Sequence, residues 1–268
     1  MSYPGGKNGA GVYQTLINMM PPHEVYIEPF LGGGAIMRLK RPAPLNIGID
    51  RDAAAVKMLS ADLAASDDGG CRYRVIRGDG IRFLEKHEFT GKELVYCDPP
   101  YLHSTRTSGD LYRLEMKDAD HERLLDVIRQ IPCAVMISGY HSDLYSKRLH
   151  DWSFTTFTGQ TRGGPRTEWL WFNFERTALH DYRYLGKDFR ERERIKRKKA
   201  RWVARLHAMN EFERQAMLAA IGEAWNLELA APRLAMVDHP DSSPKTARGS
   251  ARGPARQFRE AIRSKEEE

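Results

Sequence analysis

Five short apolar runs, each followed by an amphipathic stretch, constrain the fold of this chain more than any other feature. The runs are Val25–Glu28, Leu45–Asp50, Tyr73–Arg77, Glu93–Asp98 and Cys133–Ser138. The helical stretches are Ala35–Lys40, Ala53–Ala65, Gly80–His87, Ala119–Gln130 and Ser142–Leu149. This alternation is the mark of an α/β sheet with helices on its faces. Two further runs, Ser153–Thr158 and Glu168–Phe174, flank Gly159–Arg166, where Gly163-Gly164-Pro165 reads as a turn. They predict an antiparallel hairpin that closes the sheet. The expected class is α/β, a parallel sheet ending in an antiparallel pair.

From about Tyr184 the chain changes to charged helix. Lys187 to Arg205 holds ten Lys or Arg residues and three acids, a local excess of seven against +6 for the whole chain. Such a block attracts phosphate without reading sequence, and it also suits a solvated helix face. On charge alone both readings stand. Asn210 with Glu213 resembles a helix-capping pair and splits this region into Glu191–His207 and Glu211–Glu223. Asp238–Glu268, rich in Pro, Ser, Gly, Arg and Lys, reads as a disordered tail. The expected divisions are a folded domain over 1–182, a basic helical extension over 183–230 and a tail over 231–268. There is no apolar run of membrane-spanning length, and Met1 to Lys7 lacks an apolar signal core. Cys71, Cys97 and Cys133 fit neither a disulfide framework nor a zinc site. A soluble cytoplasmic protein without a metal or a membrane partner is the plain expectation.

The sharpest chemical feature is Asp98-Pro99-Pro100-Tyr101, at the carboxyl end of the apolar strand Glu93-Leu94-Val95-Tyr96-Cys97. Open α/β sheets bind ligands at that end of their strands. An aryl amine is a poor nucleophile because its lone pair is delocalised into the ring. Two acceptors aimed at its N–H bonds would free the lone pair, and the Asp98 carboxylate and the Pro99 carbonyl can supply them. Pro99 and Pro100 stiffen the loop, and Tyr101 can stack on a base. Alone, the tetrapeptide also suits a strand ending in a Pro-rich turn.

A second feature is Tyr26-Ile27-Glu28-Pro29-Phe30-Leu31-Gly32-Gly33-Gly34-Ala35, a strand running through a glycine turn into a helix. Glycines there let the backbone approach a ligand at a helix N-terminus. The turn lacks the Gly-Lys-Ser/Thr ending of a phosphate loop, which argues against an NTPase. Asp50 closes the next strand about twenty residues on, where it could bind ribose hydroxyls. Asp79 closes the strand after that and could meet an adenine amine. Either acid could instead cap a helix. Tyr3-Pro4-Gly5-Gly6-Lys7 precedes an amphipathic segment and by itself is only a flexible start.

Together these pieces resemble the Dam-type DNA adenine methyltransferase family. Its pattern is aromatic-x-Gly-Gly-Lys, then Pro-Phe-x-Gly-x-Gly, an acidic strand end, and Asp-Pro-Pro-Tyr, all present here in that order. The resemblance extends through His103-Ser104-Thr105-Arg106, Met136-Ile137-Ser138-Gly139-Tyr140 and Thr167-Glu168-Trp169-Leu170-Trp171, and so covers about residues 3 to 174. It implies a seven-stranded, Rossmann-like methyltransferase domain that uses S-adenosylmethionine to methylate N6 of adenine in DNA. Carried over, Tyr3, Lys7, Asp50 and Asp98 contact the cofactor, and Glu28, Phe30, Gly32 and Gly34 shape its cradle. Asp98, Pro99, Pro100 and Tyr101 hold the target adenine.

Typical members of that family insert a target-recognition domain between the glycine motif and Asp-Pro-Pro-Tyr. Here the interval Gly34 to Asp98 holds only helix–strand units. His103, Thr105 and Arg106, with Lys196, Arg197, Lys198 and Lys199 of the basic helix, remain as candidates for nucleic-acid contact. A short or degenerate recognition site follows from so few contacts. Cys97 precedes Asp98 and by alternation faces the other side of the strand, so the pattern is not that of a cytosine C5 enzyme. Cytosine N4 and RNA adenine N6 remain conceivable targets, as does a catalytically silent nucleic-acid-binding protein.

Overall fold

A computed structural model of the chain describes residues 6–64, 70–105, 115–161 and 164–225. Tyr3, Arg106 and the expected tail lie outside the described residues. The chain divides after Ala208 into two compact units, Met1–Ala208 and Met209–Glu268.

The first unit holds a seven-stranded sheet in the order β3-β2-β1-β4-β5-β7-β6. Its strands are β1 (Val25–Glu28), β2 (Leu45–Asp50), β3 (Arg72–Arg77), β4 (Glu93–Cys97), β5 (Ala134–Gly139), β6 (Ser153–Thr161) and β7 (Gly164–Phe172). β1 to β5 are parallel, and β7 runs antiparallel to both β5 and β6. This is the expected Rossmann-like sheet, mostly parallel and closed by a C-terminal antiparallel hairpin. One difference lies in the hairpin, where the ladder extends through Gly159↔Arg166 and Gln160↔Pro165 to Thr161↔Gly164. Residues that read as a long turn are therefore paired. β5 covers only Trp169–Phe172 of β7, so Pro165, which has no N–H to give, lies where no second neighbour asks for one.

Both faces of the sheet are packed, as a parallel sheet requires. β4 is the central strand and all its residues are buried. Val95 and Cys97 point into one cluster, with Ile27, Ile137, Leu84 of α4 (Gly80–Lys86) and Leu124 and Ile128 of α5 (Asp118–Gln130). Leu94 and Tyr96 point into the other. That cluster holds Leu16 of α1 (Val12–Met19), Ile36 and Met37 of α2 (Ala35–Leu39) and Leu59 of α3 (Ala53–Ala64). The period-2 alternation of β4 thus sends Cys97 away from the Tyr96 side. Burial pushes its thiol well above the ordinary range, so Cys97 is a core residue without nucleophilic character.

The chain runs from β1 outward to β3 and returns to β4 on the other side of β1. The crevice above β1 and β4 is therefore the topological switch point, and its walls are the carboxyl ends at Glu28 and Cys97. Two glycines set the approach of the loops there. Gly34 precedes α2 in the left-handed region at φ 60°, where a Cβ would lie 2.2 Å from Leu59 Cδ2. Gly80 opens α4 against the backbone of Pro29, and a Cβ would lie 2.0 Å from the Pro29 carbonyl oxygen. Because that neighbour is backbone, Gly80→Ala is expected to destabilise the unit by about 1–3 kcal/mol through overpacking. A denaturant midpoint equal to wild type would show that the two loops part freely.

Beyond the sheet, α6 (Asp143–Arg148) is followed by the hairpin, then by α7 (Phe189–Ala208), whose residues are all at least partly exposed. Asp188 Oδ1 accepts the Glu191 backbone N–H at 2.8 Å and starts α7 as an N-cap. In the second unit, Asn210 Oδ1 accepts the Glu213 N–H at 3.0 Å ahead of α8 (Glu211–Trp225), the capping pair read from the sequence. Among the described residues no helix is long and apolar enough to cross a membrane.

Candidate active site

At the carboxyl end of β4 the side chains of Lys7, Asp98, Tyr101, Ser138 and Glu168 meet. Lys7 arrives from the segment ahead of α1, Ser138 from the end of β5 and Glu168 from β7. Lys7 Nζ donates to the Tyr101 hydroxyl at 2.7 Å and lies 3.1 Å from Asp98 Oδ1 and 3.0 Å from Glu168 Oε2. The Tyr101 hydroxyl donates to Glu168 Oε2 at 2.6 Å and stands 3.2 Å from Asp98 Oδ1. Ser138 Oγ donates to Asp98 Oδ1 at 2.8 Å and lies 3.1 Å from the Tyr96 hydroxyl. Among the described residues, every donor that meets the Asp98 carboxylate goes to Oδ1. Among the described residues none reaches Asp98 Oδ2, and the Asp98 side chain is 17% exposed. The carboxylate is thus fixed through one oxygen, with its other oxygen available.

The electrostatics follow from burial. Desolvation holds the Asp98 carboxyl above its usual range and the neighbouring Glu168 adds to this, while Lys7 and the Ser138 hydroxyl oppose it. Burial pushes Glu28, on the adjacent strand β1, up to about 8, with the Tyr26 hydroxyl, 3.0 Å from Oε2, opposing. At neutral pH Glu28 is largely protonated and contributes little charge. Burial first, then Asp98 and Glu168, raise the Tyr101 phenol, so it remains a neutral donor.

The glycine turn is stitched to the neighbouring strand end. Gly32 N donates to Asp50 Oδ2 at 2.7 Å, Asp52 N donates to Asp50 Oδ1 at 2.7 Å, and Leu31 N bonds the Ile49 carbonyl at 2.9 Å. Asp50 therefore shapes the turn at the end of β2. Asp79 caps α4, accepting the Arg82 N–H at 2.9 Å, and its other oxygen pairs with Arg51. Burial acts to raise the Asp79 carboxyl but is outweighed by these bonds, which hold it below its ordinary value. Phe30 packs, partly buried, against the core. For a cationic methyl donor bound over the switch point, the Asp98 carboxylate offers an anionic partner with an open oxygen, and Gly34 lets the turn pack closely on Leu59 below it. The residues present fit S-adenosylmethionine.

Of the other residues singled out by the sequence, Pro99 and Pro100 follow Asp98 as the loop requires. Tyr101 is buried, edge-on to Tyr140 at 4.7 Å with Lys7 over its ring at 4.8 Å, so its surface is mostly spent within the protein. His103 and Thr105 form one 3-10 turn, and the Thr105 carbonyl accepts Arg166 Nη2 at 3.2 Å. Lys196, Arg197, Lys198 and Lys199 are exposed on α7, where Lys199 Nζ bonds the Tyr182 carbonyl at 3.0 Å and Lys196 lies 3.7 Å from Glu193. Sequence reasoning did not place Ser138 or Glu168 in the site. Each carried a signal, a lone hydroxyl in Met136-Ile137-Ser138 and an acid directly before Trp169-Leu170-Trp171.

A family model described as D12 class N6 adenine-specific DNA methyltransferase matches residues 80–157. That span includes Asp98-Pro99-Pro100-Tyr101 and Ser138. No curated protein matches the chain. Among solved structures, yhhF from Escherichia coli, described as a methyltransferase, is 19% identical at a TM-score of 0.44, covering 65% of this chain and 91% of that one. Precorrin 8W decarboxylase of Methanobacterium thermoautotrophicum is 12% identical at a TM-score of 0.42, over 65% and 94%. Magnesium protoporphyrin IX methyltransferase (ChlM) from Synechocystis, solved with bound S-adenosylmethionine, is 14% identical at 0.41, over 62% and 76%.

Proposed function

We propose that the chain is an S-adenosylmethionine-dependent methyltransferase acting on the exocyclic N6 amine of adenine in DNA. The observation that carries this reading is the Asp98 carboxylate. It sits at the switch point, held through Oδ1 by Lys7 and Ser138 with Oδ2 open, inside the segment matched by the adenine methyltransferase model.

The chemistry follows from the fixed acceptors. A base within a duplex cannot present its amine to a buried donor, so the target adenine leaves the stack. Asp98 Oδ2 accepts one N–H of the amine and the Pro99 carbonyl accepts the other, which draws the nitrogen toward tetrahedral geometry and frees its lone pair. Lys7, Ser138 and Tyr101 keep the carboxylate from turning, so the acceptors need no reorganisation as the reaction proceeds. When bound, S-adenosylmethionine supplies a methyl group on a sulfonium, the electrophile for direct in-line transfer. The proton released from the amine passes first to Asp98, whose affinity for protons burial has raised.

The test is to incubate the protein with duplex DNA and isotopically labelled donor, digest to nucleosides and locate the label by mass spectrometry. N6-methyladenine is expected. Label in N4-methylcytosine, label only when RNA replaces DNA, or no transfer at all would each overturn the reading.

We assign the exposed basic face of α7 to the nucleic-acid backbone. Replacing Lys196, Arg197, Lys198 and Lys199 by Gln is expected to weaken binding to all sequences alike. It should also flatten the salt dependence by a slope of about 0.9 for each phosphate that is no longer neutralised. Cofactor affinity should stay the same. A variant with the parent's salt slope would mean that this face merely meets solvent.

A further inference from the structure

We infer that Glu168 sets the charge of the methyl-donor pocket: with Asp98 it leaves one negative charge beyond what Lys7 neutralises, and this excess holds the cationic donor in preference to its neutral thioether product. The inference rests on the methyltransferase reading above.

Glu168 is a buried acid at the start of an apolar stretch of β7, where an unpaired carboxylate would be costly. The fold makes room for it. A Cβ at Gly159 on the facing strand β6 would lie 2.0 Å from Glu168 Oε1, so the bare backbone there accommodates the carboxylate. Its Oε2 accepts from the Tyr101 hydroxyl at 2.6 Å and lies 3.0 Å from Lys7 Nζ, the same ammonium that Asp98 contacts at 3.1 Å. Lys7 needs only one carboxylate for neutrality, so the second one leaves the cluster negative. Tyr101 is neutral, and Glu28 is held largely protonated, so neither changes the sum. Arg166 packs its guanidinium on the Tyr140 ring at 4.3 Å and donates to the Thr105 carbonyl at 3.2 Å, and among the described residues it forms no ion pair with Asp98 or Glu168.

A sulfonium carries the positive charge that this cluster lacks. During transfer the sulfur–methyl bond breaks, its electron pair stays on sulfur and a nitrogen–methyl bond forms. The amine then sheds a proton, and the remaining thioether is neutral. In a buried site a unit of charge is poorly screened, so the pocket attracts the donor and loses that attraction once the methyl group has gone. Glu168 does not touch the reacting atoms in this account and is a positioning residue that also supplies charge.

The experiment is calorimetric titration of the full chain with S-adenosylmethionine and, separately, with S-adenosylhomocysteine at neutral pH. Wild type and Glu168→Gln are compared, because glutamine keeps an acceptor for Tyr101 and removes the charge. Wild type is expected to prefer the donor by about tenfold or more, and the variant to lose about tenfold of that preference, mostly through weaker donor binding. A merely structural role would weaken both ligands alike, and an unchanged ratio overturns the inference while leaving the methyltransferase reading intact. Wild-type protein that binds neither ligand overturns that reading and the inference with it. Should Glu168→Gln fail to fold, wild type is titrated with a donor analogue in which an amine-bearing carbon replaces the sulfonium. That cationic analogue is expected to bind more tightly than the thioether, and equal affinities would overturn the inference.

Discussion

Asp98→Ala is expected to lower the rate of methyl transfer by about 10²–10³, by analogy with loss of one fixed hydrogen-bonding group at a reacting centre. The substitution removes the open oxygen Oδ2 and also releases Lys7 and Ser138, which both hold Oδ1. Part of the loss should therefore appear as weaker donor binding, and part as a slower step at saturating donor. Single-turnover measurement at saturating donor separates the two. Asp98→Asn is the more discriminating companion, since it keeps the shape but offers an N–H where an acceptor or an anion was. Near-normal single-turnover rates in Asp98→Ala would remove Asp98 from the reaction.

The second large effect is expected from Lys7→Met. Lys7 is the ammonium shared by Asp98 and Glu168, with side-chain exposures of 7%, 17% and 8% respectively. Removing one member of a buried ionic cluster leaves its partners uncompensated, at a cost of about 3–5 kcal/mol. Asp98 already has its carboxyl raised by burial with Lys7 opposing, so loss of Lys7 raises it further. A carboxyl whose folded value exceeds its unfolded value takes up its proton first in the folded state. Its penalty is full above the folded value and disappears below the unfolded value of about 4. The stability deficit of Lys7→Met is therefore expected to be large at pH 8 and to shrink toward pH 5, as chemical denaturation at the two pH values would reveal. A deficit that is equal at both would mean that the Asp98 carboxylate does not feel the lost ammonium.

Much of this site could be read along the chain. Asp98-Pro99-Pro100-Tyr101 stood out as two prolines after an apolar strand and Gly32-Gly33-Gly34 as a strand-to-helix turn of bare backbone, although each alone also suits an ordinary turn and only their order together pointed to one chemistry. The structure put both at one switch point. Ser138 and Glu168 stand in apolar strands as a lone hydroxyl and a lone acid, a signal that marks them as unusual but does not say which site they join. Each makes its decisive contact across a long interval, 40 residues from Ser138 to Asp98 and 67 from Glu168 to Tyr101. Periodicity reports which face of a strand a residue lies on but not which neighbour that face meets. The hairpin shows the same limit. Gly159 and Pro165 look like turn residues locally, yet β6 and β7 pair through both, and Pro165 is tolerated there because β5 stops short of it.

What the sequence determined by itself is what short-range physics controls. The apolar runs became strands, the stretches between them became helices, and Asn210 and Asp188 became caps, since each depends on residues a few positions away. Tertiary structure alone decided that one ammonium, Lys7, lies between two carboxylates that are far from it in sequence and from each other. It also decided that burial raises the Glu28 carboxyl to about 8 while Lys7 and Ser138 hold Asp98 through Oδ1. Charge and protonation depend on distance and solvent exclusion in three dimensions, and neither quantity is written along the chain.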